Sequence, residues 1–452
     1  MSPKFIEVDR VSQYLFPPSI QDWLPEKHLA RFIVEIVENL DLRPLKESYT
    51  CRGSQPYHPA MLLALLFYGY ATGVFSSRKL ERSTHDSVAF RFIAANTHPD
   101  HDTIAQFRKR FLPQLAQMFM EILTIAQQMG VLKLGKVCLD GTKVKANASK
   151  HKALSYGHAC KLQAQLEAEV AELLAQAEAA DQADIPDGME IPTELAIRQD
   201  RIKAIKEAKA EIERRADQRH AKEQAEYSRK LAEREQKEQD TGRKPRGKQP
   251  KPPTAGPKEK DQVNLTDGDS RIMPTSSGGF EQTYNAQASV DAETMLIVGN
   301  HLSQAPNDKQ ELKPALDKLA QLPSELGKVA NMLADTGYFS ASNVSICEDQ
   351  NITPYIAVKR EGHHQQVLDR FNEPPPLPVG ADAVESMKHR LKTKAGKAVY
   401  AKRKSTVEPV FGIIKAAMGF RQFFLRGLDA VTGEWNLVCV AYNLKRLFVL
   451  AQ

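Results

Sequence analysis

Residues 398–420 of this 452-residue chain read AVYAKRKSTVEPVFGIIKAAMGF. At 3.6 residues per turn, this pattern predicts a helix with Lys404, Glu408 and Lys415 on one face. Another face carries the apolar side chains Val407, Phe411, Ile414 and Met418. The helix would therefore dock on a core and present one carboxylate among cations. A solvated basic helix without a chemical role is the alternative interpretation.

Two aspartates far from this helix in the sequence follow apolar runs. Asp140 follows Val-Cys-Leu at 137–139, and Asp335 follows Val-Ala-Asn-Met-Leu-Ala at 329–334. We expect each at the C-terminal end of a short buried strand, where α/β sheets place their chemistry. One such aspartate is usually a cap or turn residue. Two of them, together with Glu408, favour a shared acidic site.

The charge of the chain is mildly positive and uneven. Lys and Arg total 62 against 56 Asp and Glu, a formal net charge of +6 with a pI near 8.8. Basic residues are dense in 243–260 and 388–426. Such blocks favour a polyanionic partner, nucleic acid before membrane.

The expected location is the cytoplasm, with no membrane partner. No apolar run approaches the roughly 20 residues of a membrane span, and the N-terminus lacks a signal-peptide pattern. The five cysteines (Cys51, Cys138, Cys160, Cys347 and Cys439) form no CxxC pair. This spacing predicts neither disulfides nor structural zinc.

Residues 1–130 are expected to form an all-α domain. Apolar residues recur at helical spacing in 25–40, in 60–71 after Pro59, and in 104–123. Basic side chains between the apolar positions fit a DNA-binding helical domain: Arg78, Lys79, Arg82 and Arg108. An ordinary helical bundle with a basic solvated face is the alternative.

Between these helices lies a short histidine- and aspartate-rich segment. Asp102 is the expected N-cap of the helix over 104–123. His98 and His101 lie three residues apart beside Asp100 and Asp102, a spacing compatible with a metal site. Exposed loop residues with capping roles are the favoured interpretation.

Residues 151–260 differ in composition from the rest of the chain. Leucines mark one helix over 162–174, and Leu and Ile mark a second over 195–212, with a break at 185–188. The many Ala, Glu, Lys and Arg residues predict a helical hairpin or coiled coil without chemistry of its own. Residues 241–260 are expected to be a flexible basic linker.

From residue 261 the pattern becomes α/β again. Residues 282–291 alternate like a strand, and 295–298 are its expected hairpin partner. A helix capped by Asn307-Asp308 follows, then the Asp335 strand, a helix near 340–349 and a strand at 354–358 that ends at Lys359. The C-terminal residues 426–452 form a last helix, in which Trp435 is expected to anchor the helix to the sheet.

This order of elements matches the ribonuclease-H-like fold. Its catalytic domain would comprise 131–150 and 261–425, with the helical insertion leaving directly after the first strand. The right-handed crossover rule then places the Asp140 and Asp335 strands side by side, with the Glu408 helix across them.

The motifs around the three carboxylates resemble the DDE transposases of bacterial insertion sequences. They are Leu139-Asp140-Gly141-Thr142, Ala334-Asp335-Thr336-Gly337-Tyr338 and Val407-Glu408-Pro409-Val410-Phe411-Gly412. The chain is most similar to the insertion-sequence eleven-eighty-two group. Two further segments, residues 264–271 and Tyr284-Asn285-Ala286-Gln287, also resemble the pattern of that group. This resemblance implies that Asp140, Asp335 and Glu408 are the catalytic residues.

A related transposase signature contains Tyr, Arg, Glu and Lys, which correspond to Tyr400, Arg403, Glu408 and Lys415. Here four residues separate Arg403 from Glu408 instead of three. On a helix the extra residue turns Arg403 away from the face of Glu408, so Lys404 is expected to substitute for it. Tyr400, Lys404 and Lys415, with Arg403 if it is near enough, would then hold the DNA backbone.

A carboxylate triad without nearby His or Cys prefers hard cations, Mg²⁺ or Mn²⁺. Two such ions about 3.5–4 Å apart can serve the attacking and leaving oxygens of a phosphoryl transfer. Because three adjacent carboxylates repel one another, metal binding is expected to be weak until a DNA phosphate adds a ligand.

The favoured function is a transposase that cuts double-stranded DNA at the terminal inverted repeats of its element and joins the ends to target DNA. It would act as a homodimer on DNA in the bacterial cytoplasm and associate with the nucleoid when bound. One alternative is a ribonuclease-H-like nuclease or resolvase without a joining step. Another is a catalytically inactive DNA-binding scaffold.

Overall fold

The computed structural model describes residues 19–49, 55–179, 191–243, 247–275, 278–358, 373–378 and 380–452. The chain forms two compact units, Met1–Val144 with Tyr284–Gln452, and Lys145–Thr283. The N-terminal helices and the C-terminal helix thus belong to the same unit as the strands that carry Asp140 and Asp335. The finer division into four domains stays a prediction.

A helical N-terminal region is confirmed. The described residues before the sheet form α1 (Leu29–Glu38), α2 (Arg43–Glu47), α3 (Pro59–Thr72), α4 (Ser77–Asp86), α5 (Val88–Ile93), α6 (His101–Phe111) and α7 (Leu115–Gln128). Helix α3 is buried almost throughout because nearly all its side chains are apolar. Pro59 begins it without losing a hydrogen bond, and Gly73, with φ of +86°, ends it.

No single described helix is long and apolar enough to cross a membrane, although α3 and α4, bent by 95°, meet that test of length and composition together.

The predicted helix over 104–123 is wrong in two respects. It is divided into α6 and α7 by a 3-10 turn at Leu112–Gln114, because Pro113 cannot donate a hydrogen bond within a helix. The N-cap of α6 is Asp100 rather than Asp102, with Asp100 Oδ1 accepting from Thr103 N at 2.7 Å. Asp102 lies within the first turn.

A mixed α/β region follows, as predicted. Its strands in the first unit are β1 (Leu134–Lys145), β5 (Phe280–Asp291), β6 (Ile297–Ser303), β7 (Gly327–Ala334) and β8 (Thr353–Ile356). The strand order is β6-β5-β1-β7-β8. Strands β5 and β6 are antiparallel, while β1, β7 and β8 are mutually parallel. The predicted adjacency of the Asp140 and Asp335 strands is confirmed.

Two details of this sheet differ from the prediction. Asp140 does not end its strand, because β1 continues to Lys145. Only its pairing with β7 ends there, at Leu139 opposite Ala334. The hairpin partner of β5 begins at Ile297 rather than 295, because Asp291 Oδ2 accepts hydrogen bonds from Glu293 N and Thr294 N and fixes a turn.

Helices pack on this sheet in the first unit: α10 (Leu312–Leu319), α11 (Ala341–Asp349), α12 (Ala383–Lys392), α13 (Lys394–Gly412) and α14 (Leu428–Leu450). Helix α14 is buried along most of its length. Trp435 is fully buried and donates its indole N–H to Gln287 O at 3.1 Å, which confirms its predicted anchoring role. The side chain of Asn443 similarly bonds both backbone groups of Ile297 in β6.

The second unit contains the predicted helical hairpin. Helices α8 (Tyr156–Ala179) and α9 (Ile191–Thr241) follow β2 (Ala153–Ser155), and β3 (Gln262–Asn264) and β4 (Arg271–Pro274) come next. Their common core contains Leu154, Ala159, Leu166, Ile202, Ile205, Ala208, Ile212 and Val263. Strand β3 pairs with β2, and β4 pairs with the first residues of β5. A coiled-coil geometry stays a prediction. The break at 185–188, Cys51 and Lys359 lie outside the described residues.

Candidate active site

Asp140 lies on β1 just beyond the last residue paired with β7. Its side chain is mostly buried, and its Oδ1 accepts a hydrogen bond from Gly141 N at 2.9 Å. Burial raises the pKa of this carboxyl to about 6, because a charged carboxylate is poorly solvated there. The nearby guanidinium of Arg403 lowers the pKa, whereas the Asp335 and Asp308 carboxylates raise it.

Asp335 directly follows β7 and lies beside Asp140 as a result of the parallel register. It begins a one-turn 3-10 helix, Thr336–Tyr338, and its Oδ1 accepts from Gly337 N at 2.8 Å. Its second carboxylate oxygen is directed toward Arg403. Asp335 therefore has both the capping role that such aspartates often have and a place in the acidic cluster.

Helix α13 brings the third carboxylate to the same place. Thr393 caps its N-terminus, and its buried face includes Arg403, Thr406, Val407 and Val410. Glu408 is more than half exposed at the edge of that face. Pro409 lies inside the helix, where its missing N–H weakens the hydrogen-bond ladder.

Arg403 is the centre of the arrangement. Its Nη2 lies 2.9 Å from Asp140 Oδ2 and 3.7 Å from Asp335 Oδ2, and its Nη1 lies 3.7 Å from Glu408 Oε1. One planar guanidinium thus contacts all three predicted catalytic carboxylates. Burial alone would lower the pKa of Arg403, but the three acids and Tyr400 together raise it above its ordinary value.

Arg403 and Glu408 do lie on different faces of α13, as expected, because Arg403 is buried and Glu408 is exposed, yet their side chains approach to 3.7 Å. The buried face of α13 points toward β1 and β7, and a long arginine side chain spans the five-residue separation from Glu408. Lys404, expected to substitute for Arg403, is exposed instead. Helical phase predicts the face from which a side chain starts, but not how far a long arginine side chain extends.

Two further predicted residues border the acids. Tyr400 donates a hydrogen bond to Ala334 O at 3.4 Å, one residue before Asp335, and burial raises its pKa. Lys415 donates to the Thr142 hydroxyl and to Lys143 O at 3.2 Å. It lies on a π-helical turn, Ile413–Ala417, which shifts the helical phase and directs Lys415 toward β1. Burial, with Arg421 nearby, lowers the pKa of Lys415.

The basic residues of the N-terminal helices differ among themselves. Arg78, Lys79 and Arg82 are exposed on α4. Arg108 instead donates to Tyr70 Oη at 3.2 Å and to Phe75 O at 2.9 Å, inside the helical region. It adjoins a buried network in which the Tyr70 hydroxyl donates to Glu434 of α14 at 2.9 Å. Arg108 is therefore held by hydrogen-bond partners within the helical region, and its assignment to DNA stays a prediction.

His98 and His101 have protein partners, in line with the favoured interpretation. His98 Nδ1 lies 3.1 Å from the Thr84 hydroxyl, and His101 Nδ1 lies 2.8 Å from Glu81 Oε2. The expectation of exposed loop residues is only partly right, because His101 begins α6 and its side chain is only about one-third exposed.

Sequence reasoning missed one acidic residue of this region. Asp308 was expected to cap a helix, but that helix, α10, begins at Leu312 with Glu311 as its N-cap. Asp308 Oδ1 instead accepts from Asn285 Nδ2 at 2.6 Å and from Gln287 Nε2 at 2.8 Å. The signal was present in β5, where two amide side chains two residues apart share one face of a buried strand.

The three acids offer only oxygen atoms as ligands to a cation. Carboxylate oxygens without His or Cys are the donors that Mg²⁺ and Mn²⁺ prefer. Within the described ranges, no three His, Cys, Asp or Glu side chains are arranged so as to hold a metal ion. The guanidinium of Arg403 stands between the three acids. The type of donor therefore suits such a cation, but in this structure the three carboxylates pair with Arg403 instead.

Comparisons with known families give two matches. Residues 18–110 match a family described as a transposase domain (DUF772), and residues 378–448 match a transposase DDE domain. The second match contains Tyr400, Arg403, Glu408 and Lys415, whereas Asp140 and Asp335 lie outside both. Neither curated proteins nor solved structures gave a match. The two family matches indicate a DDE transposase of an insertion-sequence family.

Proposed function

We propose that this DDE transposase cleaves DNA strands at the ends of its element and transfers them to target DNA at the site formed by Asp140, Asp335 and Glu408. The observation that carries the proposal is the convergence of these three carboxylates, from β1, β7 and α13, on the guanidinium of Arg403. A ribonuclease-H-like fold is part of the proposal, supported by the order β6-β5-β1-β7-β8.

The reaction consists of two phosphoryl transfers. In the first, a water oxygen bonds to a backbone phosphorus, the 3′ oxygen of the neighbouring nucleotide leaves, and the water gives up a proton. In the second, the freed 3′-hydroxyl bonds to a target phosphorus and displaces another 3′ oxygen. Asp140, Asp335 and Glu408 would hold Mg²⁺ or Mn²⁺, in two ions if the family's mechanism applies, and the metal would supply activation of the attacking oxygen and stabilisation of the leaving one.

Basic residues around the acids would hold the DNA backbone. Lys415, Tyr400 and Arg403 border the carboxylates, and the exposed Lys404 lies one turn before Glu408. Such contacts position a strand without reading its sequence. Arg78, Lys79 and Arg82 on α4 offer a second basic surface for the terminal inverted repeats. Arg108, with its internal partners, is not assigned to DNA in this proposal.

A direct test uses labelled element ends with and without Mg²⁺, followed by mapping of the cut positions. We expect cleavage only with the metal, and we expect Asp140→Ala, Asp335→Ala and Glu408→Ala to bind ends but not cleave them. Near-normal cleavage by any of the three variants would reject the assignment. Strand-transfer products from a pre-cleaved end would separate a transposase from a nuclease that does not join.

Assembly as a homodimer on paired ends is also part of the proposal, with the hairpin of α8 and α9 as its support. Deletion of residues 153–260 is expected to abolish the paired-end complex seen by native gel electrophoresis. Unchanged pairing after the deletion would exclude this role for the hairpin.

A further inference from the structure

A loop connects the π-helical turn after α13 to α14. Its residues 419–427 read GFRQFFLRG, and the glycines at both ends, with φ of +76° and +82°, allow the chain to turn there. Two of the three phenylalanines are fully buried, whereas Phe424 is 43% exposed. Arg421 and Arg426, on either side of Phe424 in the sequence, are also exposed. The loop thus offers one aromatic ring and two cations to a ligand.

A buried carboxylate fixes the backbone that carries this ring. Glu434 of α14 is completely buried, and its Oε2 accepts hydrogen bonds from Phe424 N at 2.9 Å and Leu425 N at 3.0 Å. Its Oε1 accepts from the Tyr70 hydroxyl of α3. The Phe424 ring packs on Phe75 with the ring centroids 5.5 Å apart. Because burying a carboxylate is costly unless it is satisfied, this network holds the exposed ring on a fixed support.

Hydrogen bonds also join the loop to the neighbourhood of the acids. Arg421 Nε donates to Lys415 O at 3.0 Å. The Lys415 side chain donates in turn to the Thr142 hydroxyl on β1. Thr142 is only two residues from Asp140 in the sequence. A DNA strand whose backbone contacts Lys415 would therefore have neighbouring nucleotides next to this loop.

The chemistry of the loop fits an unpaired DNA base. Arginine side chains attract phosphates, and bases of any sequence stack on exposed aromatic rings. Inside a duplex the faces of a base are covered by its neighbours, so only a base that has left the stack can pack on a protein ring. Strand cleavage produces chain ends, where bases leave the stack most readily. A stable protein partner instead needs roughly 800 Å² of surface on each side, far more than one ring between two charges offers.

We propose that Phe424 is a stacking platform for an unpaired base at the cleaved end of the DNA strand, and that Arg421 and Arg426 hold the phosphates beside that base. This inference rests on the proposed function, because it takes the bound strand to be the one that is cut at the acids. Glu434 is the positioning residue of the platform, since it fixes Phe424 through the backbone.

The test measures DNA binding by the full chain without Mg²⁺, so that no strand is cut. Fluorescence anisotropy compares an element-end duplex that has a short single-stranded overhang at the cut position with the same duplex without the overhang. We expect the overhang to raise the affinity of the unmodified chain about tenfold, as stacking of a base on an aromatic ring commonly does. Phe424→Leu keeps an apolar side chain against Phe75 but has no aromatic face, so it should lose this preference. Phe424→Trp should retain it.

Three further measurements make the result specific. Phe280→Leu removes another exposed aromatic ring, at the start of β5, and should keep the overhang preference. The base analogue 2-aminopurine in the overhang reports stacking directly, because stacking quenches its fluorescence. We expect quenching by the unmodified chain and by Phe424→Trp, and much less by Phe424→Leu. Arg421→Gln should reduce the slope of log affinity against log salt for the overhang duplex by about 1.

The remaining outcomes separate this inference from the proposed function. No quenching by the unmodified chain, or an unchanged overhang preference in Phe424→Leu, would overturn the platform, while cleavage of the element ends would still support the proposed function. Dimerisation without DNA that Phe424→Leu abolishes, with an unchanged overhang preference, would assign the ring to a second copy of the chain and also overturn the platform. Neither binding nor cleavage of ends by the unmodified chain would reject the proposed function and this inference with it.

Discussion

Helices α13 and α9 are both long and rich in charge, yet their charged side chains have different environments. In α9, ion pairs join neighbouring turns, such as Arg214 with Glu211 at 2.7 Å and Lys230 with Glu226 at 2.7 Å. In α13, Arg403 pairs with Asp140, which lies 263 residues away in the sequence. Local pairs of this kind support a helix, whereas the pairing of Arg403 joins separate elements of the fold.

The energetic consequences also differ. Exposed pairs on α9 contribute about 0–1 kcal/mol each, because water screens them and their side chains lose entropy. Arg403 is 9% exposed and holds acids that would otherwise repel one another. Similar compositions can therefore serve either solubility or chemistry, and tertiary packing decides which.

The largest difference between the two helices is expected when one carboxylate is removed from each and strand cleavage is measured. Glu408→Gln is expected to reduce strand cleavage by about 10³-fold or more, as loss of a catalytic group commonly does. Glu211→Gln on α9 should leave cleavage within about twofold, because surface substitutions have small effects. Single-turnover cleavage of labelled ends measures both. Comparable losses in the two variants would abolish the distinction between the helices.

Removal of one arginine from each helix should separate their stabilities. Arg403→Gln leaves the buried Asp140 carboxylate without its cation, for which a cost of about 3–5 kcal/mol is expected. Arg214→Gln on α9 should cost less than about 1 kcal/mol. Urea unfolding gives both values. Added Mg²⁺ should recover more stability in Arg403→Gln than in wild type, because a cation then replaces the guanidinium.

The acids of the two environments should respond oppositely to pH. Burial raises the pKa of Asp140 to about 6, whereas the hydrogen bond from Arg214 is the main cause that lowers the pKa of Glu211 to about 2. The folded chain therefore binds the Asp140 proton more tightly than the unfolded chain does. Its stabilising contribution is complete below about pH 4 and is lost as the pH rises through about 6.

From the raised pKa of Asp140 we expect the free energy of unfolding to fall by about 2–3 kcal/mol between about pH 4 and about pH 6. Urea unfolding of wild type and Asp140→Asn across the range isolates the contribution, since the variant should lack this slope. Glu211 acts in the other direction, because its contribution is present above its ordinary pKa and lost only as the pH falls toward 2. Parallel profiles for wild type and Asp140→Asn would contradict the burial of Asp140.

The smallest effect is expected for the exposed cations. Lys404→Ala on α13 should change stability by less than about 0.5 kcal/mol. It should weaken end binding modestly and reduce the slope of log affinity against log salt by about 1, as loss of one phosphate contact does. Lys230→Ala on α9 is the control and should leave the slope unchanged. Fluorescence anisotropy at several salt concentrations measures both.

Much of this architecture could be predicted from the sequence because its signals are local. The apolar content of α3 predicted a buried helix, and the runs before Asp140 and Asp335 predicted two strands that the crossover rule made neighbours. The boundaries that failed depended on competing local effects. Pro113 divided one predicted helix, and the side chain of Asp291 fixed a turn that delayed β6.

The site was less predictable because its contacts join distant parts of the chain. Helical phase placed Arg403 away from Glu408, but the orientation of α13 on the sheet brings the guanidinium to all three acids. From the sequence, Asp308 was expected to be a helix N-cap. In the structure its carboxylate instead accepts hydrogen bonds from the side-chain amides of Asn285 and Gln287 in β5. No periodicity encodes either contact, since both depend on how elements pack.

By itself, the sequence determined the types of secondary-structure elements and their order, because propensity and periodicity act within a few residues. It also pointed to three carboxylates, two after apolar strand-like runs and one on a helix. Tertiary structure alone decided that Arg403 is the common partner of those acids, that Arg108 packs internally, and that a fourth carboxylate stands beside them. The physical reason is that electrostatic energy and burial depend on distance in space, which the spacing of residues along the chain does not specify.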